Sequence, residues 1–277
     1  MAKITIHCIR HAQGFHNLNL ENHKLPDPSL TPLGEGQCRH LAVDFPHTPV
    51  ITHLVASPLR RTIYTTLLSF PTLIHPPSDE YEQFKILALP ELQETSDLPC
   101  DTGSDPSKLA EEFGEGKYRG TVDLHRVEDG WNSKRGKWSP ASSAIEARAL
   151  EARKILRELG QEWINNNPGE GEAHIVVTTH GGFLHYFTED WEGNDKFTGT
   201  GWANTEFRSY EYIDSTLADE RASLKETTDS RIRRLGTEKP LSEDEQRRLR
   251  DSAEREWGEA GYQSQGHGSV GEESAKL

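Results

Sequence analysis

Three short runs of the chain are almost continuously apolar and rich in β-branched residues: 3–9 (Lys-Ile-Thr-Ile-His-Cys-Ile), 52–57 (Thr-His-Leu-Val-Ala-Ser) and 174–179 (His-Ile-Val-Val-Thr-Thr). Runs of this length without strict alternation fit strands covered on both faces of a parallel sheet. Weaker strand signals lie at 85–89 and 206–213. Between the strands the period becomes helical. Thr31-Pro32 sets a cap residue before a proline and predicts a helix to about Val43. A second helix is predicted over 58–69, opened by Pro58. The spacing Ser143-x-x-Glu146 predicts a capping box and a long helix, with Ile145, Ala149, Ala152, Leu156, Leu159 and Trp163 on one buried stripe and a stop at Asn167-Pro168-Gly169. Strands alternating with helices predict an α/β three-layer sandwich, a mostly parallel central sheet flanked by helices. Ligands of such sheets sit beyond the carboxyl ends of the strands.

Two regions break the alternation. Residues 97–141 mix Gly, Asp, cations and aromatics with little periodicity and read as a loop or helical insertion over the sheet, of a length that is often functional. Beyond about Asp214 the chain is densely charged in both signs. There Ser242-x-x-Glu245 predicts a capped helix with Leu249, Ala253 and Trp257 on a narrow stripe, and from Tyr262 the composition is that of a disordered tail. The expected organisation is a catalytic domain over 1–213, with the insertion at about 97–141, and a charged helical extension over 214–277.

Composition narrows the ligand. With 31 Lys and Arg against 45 Asp and Glu the formal net charge is −14, which argues against nucleic acid as a partner. An anionic protein that binds an anion must gather its cations in one pocket. The mean hydropathy is −0.75 and no run approaches the ~18 apolar residues of a membrane span. Met-Ala-Lys followed at once by Ile4-Thr5-Ile6 offers neither a signal-peptide core nor a myristoylation glycine. Cys8, Cys38 and Cys100, scattered and odd in number, read as reduced thiols, so a cytoplasmic location is expected.

Three strand ends carry the candidate chemistry. Arg10-His11 closes the first strand, Ser57-Pro58-Leu59-Arg60-Arg61 follows the second, and Thr179-His180-Gly181-Gly182 turns from the third into a helical segment. Arginine offers a planar fork of donors suited to phosphate oxygens, and a neighbouring histidine can serve as nucleophile or proton carrier. Glycines at a strand-to-helix turn let backbone N–H groups approach an anion. An Arg-His pair at one strand end is commonly incidental; three such ends meeting at one sheet edge define a cationic pocket. His16, His23 and His185 could line its rim or be solvated. Within the insertion Lys117, Tyr118, Arg119, Trp131, Lys134, Arg135 and Trp138 could cap a substrate or pack on themselves. The sequence contains no HExxH, no Asp-rich magnesium cluster and no P-loop, so no metal or cofactor is expected.

These segments resemble the histidine phosphatase superfamily, in the branch that includes phosphoglycerate mutases and broad phosphatases. Arg10-His11-Ala12 with Asn17 resembles its Arg-His-Gly motif and following Asn. Leu30-Thr31-Pro32-Leu33-Gly34-Glu35-Gly36-Gln37 resembles its Leu-Thr-x-x-Gly-x-x-Gln segment. Ser57, Leu59, Arg61 and Thr65 fit Ser-x-Leu-x-Arg-x-x-x-Thr, and Thr179-His180-Gly181-Gly182 fits Ser-His-Gly-Gly. The resemblance implies that His11 becomes phosphohistidine, that Arg10, Arg61 and His180 bind the phosphoryl oxygens with Asn17 nearby, and that Glu94 of Leu92-Gln93-Glu94 is the general acid, with Glu91, Asp97 and Asp101 as rivals. It selects Arg61 over Arg60, which is expected to face solvent or pair with a surface acid. Ala12 departs from the usual glycine, and Gln13-Gly14 from the common Glu-Ser pair, which removes a possible pocket contact. The expected activity is metal-independent hydrolysis of a small phosphomonoester. The alternatives are a phosphoglycerate-mutase-like phosphotransferase, a same-fold enzyme acting on a non-phosphate anionic metabolite, and a binding module with little catalysis.

Overall fold

The computed structural model describes residues 3–78, 83–169, 171–194 and 200–263. Among the described residues seven strands form one sheet: β1 (Lys3–Arg10), β2 (His53–Ala56), β3 (Ile86–Ala88), β4 (Val122–Asp123), β5 (Glu172–Thr179), β6 (Phe207–Tyr212) and β7 (Leu224–Glu226), in the order β4-β3-β2-β5-β1-β6-β7. The first five run parallel; β6 pairs antiparallel with β1, and β7 with β6. The expected α/β class and mostly parallel sheet are what the structure shows.

Helices cover both faces. On one side α1 (Pro32–Asp44), α2 (Arg60–Ser69) and, past the short α3 (Pro71–Ile74), α4 (Pro106–Gly114) send Leu41, Ile63, Leu67, Leu109 and Phe113 onto Ile9, Leu54, Ala56 and Val176. On the other, α5 (Ser142–Asn166), α6 (Gly181–Thr188) and, after α7 (Thr228–Leu235), α8 (Glu243–Glu259) pack on Ile4, Ile6, Cys8, Val55, Ile175 and Val177. Successive strand residues thus feed opposite cores, which explains why β1, β2 and β5 carry unbroken apolar runs. The α5 stripe packs as its spacing predicts, with Ile145, Ala149, Ala152 and Leu156 fully buried and Leu159 and Trp163 beside them.

Several boundaries differ from the sequence expectation. No capping box forms at Ser143: α5 begins at Ser142, capped by the backbone of Ala141 without a side-chain bond. Helix α2 starts at Arg60 instead of Pro58, because the buried Asp27 carboxylate accepts the Arg60 N–H at 3.0 Å and marks the first turn. The 97–141 stretch does more than lie over the sheet, since Val122–Asp123 extends it as β4. The segment past Asp214, expected to be helical, also supplies β7, and its capped helix α8, with the Ser242–Glu245 box formed, seats Ala253 in the core. Residues 264–277 of the expected tail lie outside the described residues.

Candidate active site

The parallel register brings three carboxyl ends level: Arg10 pairs with Thr179 and Ala56 with Thr178, so His11, Ser57 and His180 leave the sheet side by side. The His11 ring centroid lies 5.2 Å from that of His180 and 5.3 Å from that of His16, and all three rings are at most 7% exposed. His11 Nδ1 is 2.8 Å from the Ala12 carbonyl oxygen, which can only accept. The proton therefore sits on Nδ1 and Nε2 carries the lone pair. Burial, then the Arg61 guanidinium, His16 and Arg10, hold this ring well below the usual imidazole range, so it is neutral.

Arg61, fully buried, donates through Nη2 to Asp101 Oδ1 at 2.9 Å and to His180 Nδ1 at 3.0 Å, and through Nη1 to the Cys100 carbonyl. Because Arg61 is the donor, His180 keeps its proton on Nε2 and donates it to Ser57 Oγ at 2.9 Å. His180 thus stands next to His11 with both nitrogens already engaged. Arg10 donates to the Trp202 carbonyl oxygen. The Nε atoms of both Arg10 and Arg61 are buried without a partner among the described residues. Two guanidinium groups around a neutral imidazole gather the positive charge that a bound anion needs.

The segments of the resemblance brace this pocket. Ala12 N donates to Thr65 Oγ, and Thr65 Oγ donates to the Arg61 carbonyl, so one threonine joins the His11 loop to α2. Gln37 Oε1 accepts from Gln13 N at 2.8 Å, Thr31 Oγ donates to Gln13 Oε1, and Gly34 packs so closely that a Cβ would lie 2.1 Å from the Gln13 carbonyl oxygen. Asn17 Oδ1 accepts from Gly14 N and holds the next turn. Ala12 has no positive φ, so its β-carbon introduces no backbone strain.

Glu94 lies across the first turn of α6. Its carboxylate accepts from Thr95 N at 2.9 Å, Phe183 N at 2.9 Å and Gly182 N at 3.2 Å. Burial, and then the Asp101 carboxylate, push its pKa up, against the pull of those N–H groups and Arg61. The rivals are placed differently. Glu91 pairs with Lys137, Asp97 is exposed, and Asp101 grips Arg61 while accepting from Ser96 Oγ. Arg148, buried on α5, donates to the carbonyls of Glu91, Gln93 and Glu94 and fixes this turn.

Arg60 turns away and forms a forked pair with Glu112, as its place in the segment suggested. Part of the insertion packs on itself and part of it reaches the site. Trp131 packs inward, donating to the Ser104 carbonyl, while Lys134 reaches the site and donates to the Glu94 carbonyl oxygen at 3.2 Å. Burial, opposed by Asp101, brings the Lys134 ammonium down to about 7. His185 lies elsewhere, its nitrogens on the carbonyls of Asp190 and Thr200. Sequence reasoning gave no role to Asp101 as the Arg61 partner, nor to Asn204, which donates to the His11 carbonyl at 2.9 Å. An acid or an amide in an aperiodic loop carries no signal of its partner. Among the described residues no group of three or more His, Cys, Asp or Glu is arranged to hold a metal ion, and no helix is long and apolar enough to cross a membrane.

No curated protein matches the sequence at a significant level. Among solved structures, the chain is similar to the ecdysone phosphate phosphatase of Bombix mori in complex with tungstate, with 14% identity over 86% of this chain and 94% of that one and a TM-score of 0.49. It is similar to mycobacterial glucosyl-3-phosphoglycerate phosphatase (16% identity, 80% and 96%, TM-score 0.45) and to phosphoglycerate mutase from Bacillus anthracis (14%, 82% and 92%, TM-score 0.42). The family whose model this chain matches is the histidine phosphatase superfamily (branch 1), over residues 6–76, the stretch that supplies Arg10, His11, Asn17 and Arg61.

Proposed function

We propose that this protein is a phosphomonoesterase that hydrolyses a small anionic phosphate ester through a phosphohistidine at His11, without a metal ion. The observation that carries the reading is a buried, neutral His11 whose Nδ1 proton is tied to Ala12, leaving the Nε2 lone pair free beside the Arg10 and Arg61 guanidinium groups. In the first step His11 Nε2 forms a bond to phosphorus as the ester P–O bond breaks, and Glu94 gives the leaving alkoxide a proton. In the second, Glu94 takes a proton from water, the water oxygen attacks phosphorus, and the P–N bond returns its electron pair to His11. The equatorial oxygens carry the charge in flight, and Arg10, Arg61 and, after exchange of its Ser57 bond, His180 receive them, with Asn17 at the edge.

The raised pKa of Glu94 suits it to hold a proton until the leaving group needs one. Asp101 keeps Arg61 directed at His180. Three buried, unpaired thiols fit a cytoplasmic setting. Turnover of p-nitrophenyl phosphate in EDTA by the wild-type protein, lost in His11→Ala, is the expected result. Absence of turnover over a panel of phosphate esters would contradict hydrolysis. Transfer of phosphate within a phosphoglycerate without release of inorganic phosphate would assign the same site to a mutase.

A further inference from the structure

His16 is the one member of the imidazole trio with no hydrogen bond to its ring. His11 is tied through Nδ1 to Ala12, and His180 through both nitrogens to Arg61 and Ser57. His16 is only 7% exposed, yet neither of its nitrogens has a partner among the described residues, and Nδ1 is completely enclosed. A buried polar nitrogen without a partner costs about 1–3 kcal/mol, and native structures keep such groups chiefly where a ligand or water completes them.

The chain makes room for this ring at its own expense. The imidazole lies against the Cα of Gly14, where an added Cβ would sit 2.8 Å from Nδ1 and 2.9 Å from Cε1. Position 14 therefore accepts no side chain while His16 holds its place. It is also where the chain departs from the Glu-Ser pair of the proteins it resembles. His16 fills that space 5.3 Å from His11, and Arg61 and Arg10 both act on its charge.

We propose that His16 contacts the substrate directly, donating its Nε2–H to an oxygen of the bound phosphoryl group while the enclosed Nδ1 stays against Gly14. The proposal rests on the phosphate-site reading of the pocket. Burial, with the two arginines, brings the ring down to about 2, so it enters as a neutral imidazole, one nitrogen donating and the other accepting. It adds a hydrogen bond without adding a charge that would oppose Arg10 and Arg61.

The test uses full-length wild type, His16→Phe and His16→Gln. The phenyl ring keeps the shape without the donor, and the amide restores a donor on a similar reach. The readouts are inorganic phosphate and vanadate affinity by titration calorimetry, kcat/KM on p-nitrophenyl phosphate, and thermal melting. His16→Phe should melt no lower than wild type, bind vanadate roughly 10- to 100-fold more weakly and lose a similar factor in kcat/KM, the size of one hydrogen bond to a charged group. His16→Gln should recover part of both. His16→Phe within about threefold of wild type in affinity and kcat/KM overturns the proposal. If the phenyl variant does not fold, the ring ¹⁵N shifts of His16 in wild type on adding inorganic phosphate decide: movement supports the contact, and its absence overturns it. A wild type that binds phosphate through His16 but hydrolyses no ester retains this inference and sinks the hydrolase reading. Hydrolysis that needs His11 and ignores His16 sinks this inference alone.

Discussion

Acid should unfold this protein well before its carboxylates are fully protonated, and His7 offers the cleanest way to see it. Its ring is fully buried in β1, stacked on His47 at 4.5 Å and parallel to His174 at 5.4 Å. Nδ1 meets Ser209 Oγ at 2.9 Å and Nε2 meets His174 Nδ1 at 3.2 Å, while His174 turns Nε2 toward Glu172. The chain of contacts is satisfied by neutral rings. Burial, then His47 and His174, brings His7 down to about 2. For a base with a depressed folded pKa, the unfolded chain takes the proton first. Its contribution to stability is therefore complete above about pH 6.5 and falls by about 1.4 kcal/mol per pH unit below that, until the folded group itself titrates. Between pH 7 and pH 5 this amounts to about 2 kcal/mol for His7. His16 behaves in the same way, and His11 and His180 add to the loss. Glu94 and Asp27, acids pushed up by burial, recover some stability as they are protonated. Urea unfolding at pH 7 and pH 5, in wild type and His7→Leu, separates these effects, because the groups common to both proteins cancel. The pH 5 loss should be about 2 kcal/mol smaller in the variant. An equal loss in the two proteins would refute the claim that His7 is held neutral by its surroundings.

Two further substitutions test the site and its support. Glu94→Gln keeps an acceptor for the α6 N–H groups and removes the proton, so kcat should fall about 10²- to 10⁴-fold, more on an alkyl phosphate than on p-nitrophenyl phosphate, whose leaving group needs less help. Equal losses on both substrates would remove Glu94 from the acid role. Gly34→Ala should cost about 1–3 kcal/mol and depress activity, because its Cβ would meet the Gln13 carbonyl at 2.1 Å, whereas Gly36→Ala, whose nearest neighbour is the end of Arg39 at 3.7 Å, should be neutral or stabilising in a chemical melt.

What the sequence made legible follows its physics. β1, β2 and β5 are buried on both faces and long enough to leave continuous apolar runs, so their carboxyl ends, and with them Arg10, His11, Arg61 and His180, could be placed on one edge. β4 and β7 are two and three residues long and include Asp123, Lys225 and Glu226, so no periodicity betrays them. Their existence depends on a neighbouring strand edge that only the folded chain supplies. The Ser143-x-x-Glu146 spacing does not mark a cap, since Ser142 already lies inside the helix. The pocket's partners were the least visible part. Asp101 meets Arg61 across 40 residues, Asn204 meets His11 across 193, and the burial of His16 depends on the bare backbone at Gly14.

The account stands on a phosphoryl group passing through His11. Acid-labile, alkali-stable label should appear on the protein after rapid mixing with a ³²P-labelled ester, map to the peptide that carries His11, and vanish in His11→Ala. Turnover with no such adduct, label stable to acid, or label that persists in His11→Ala would contradict it.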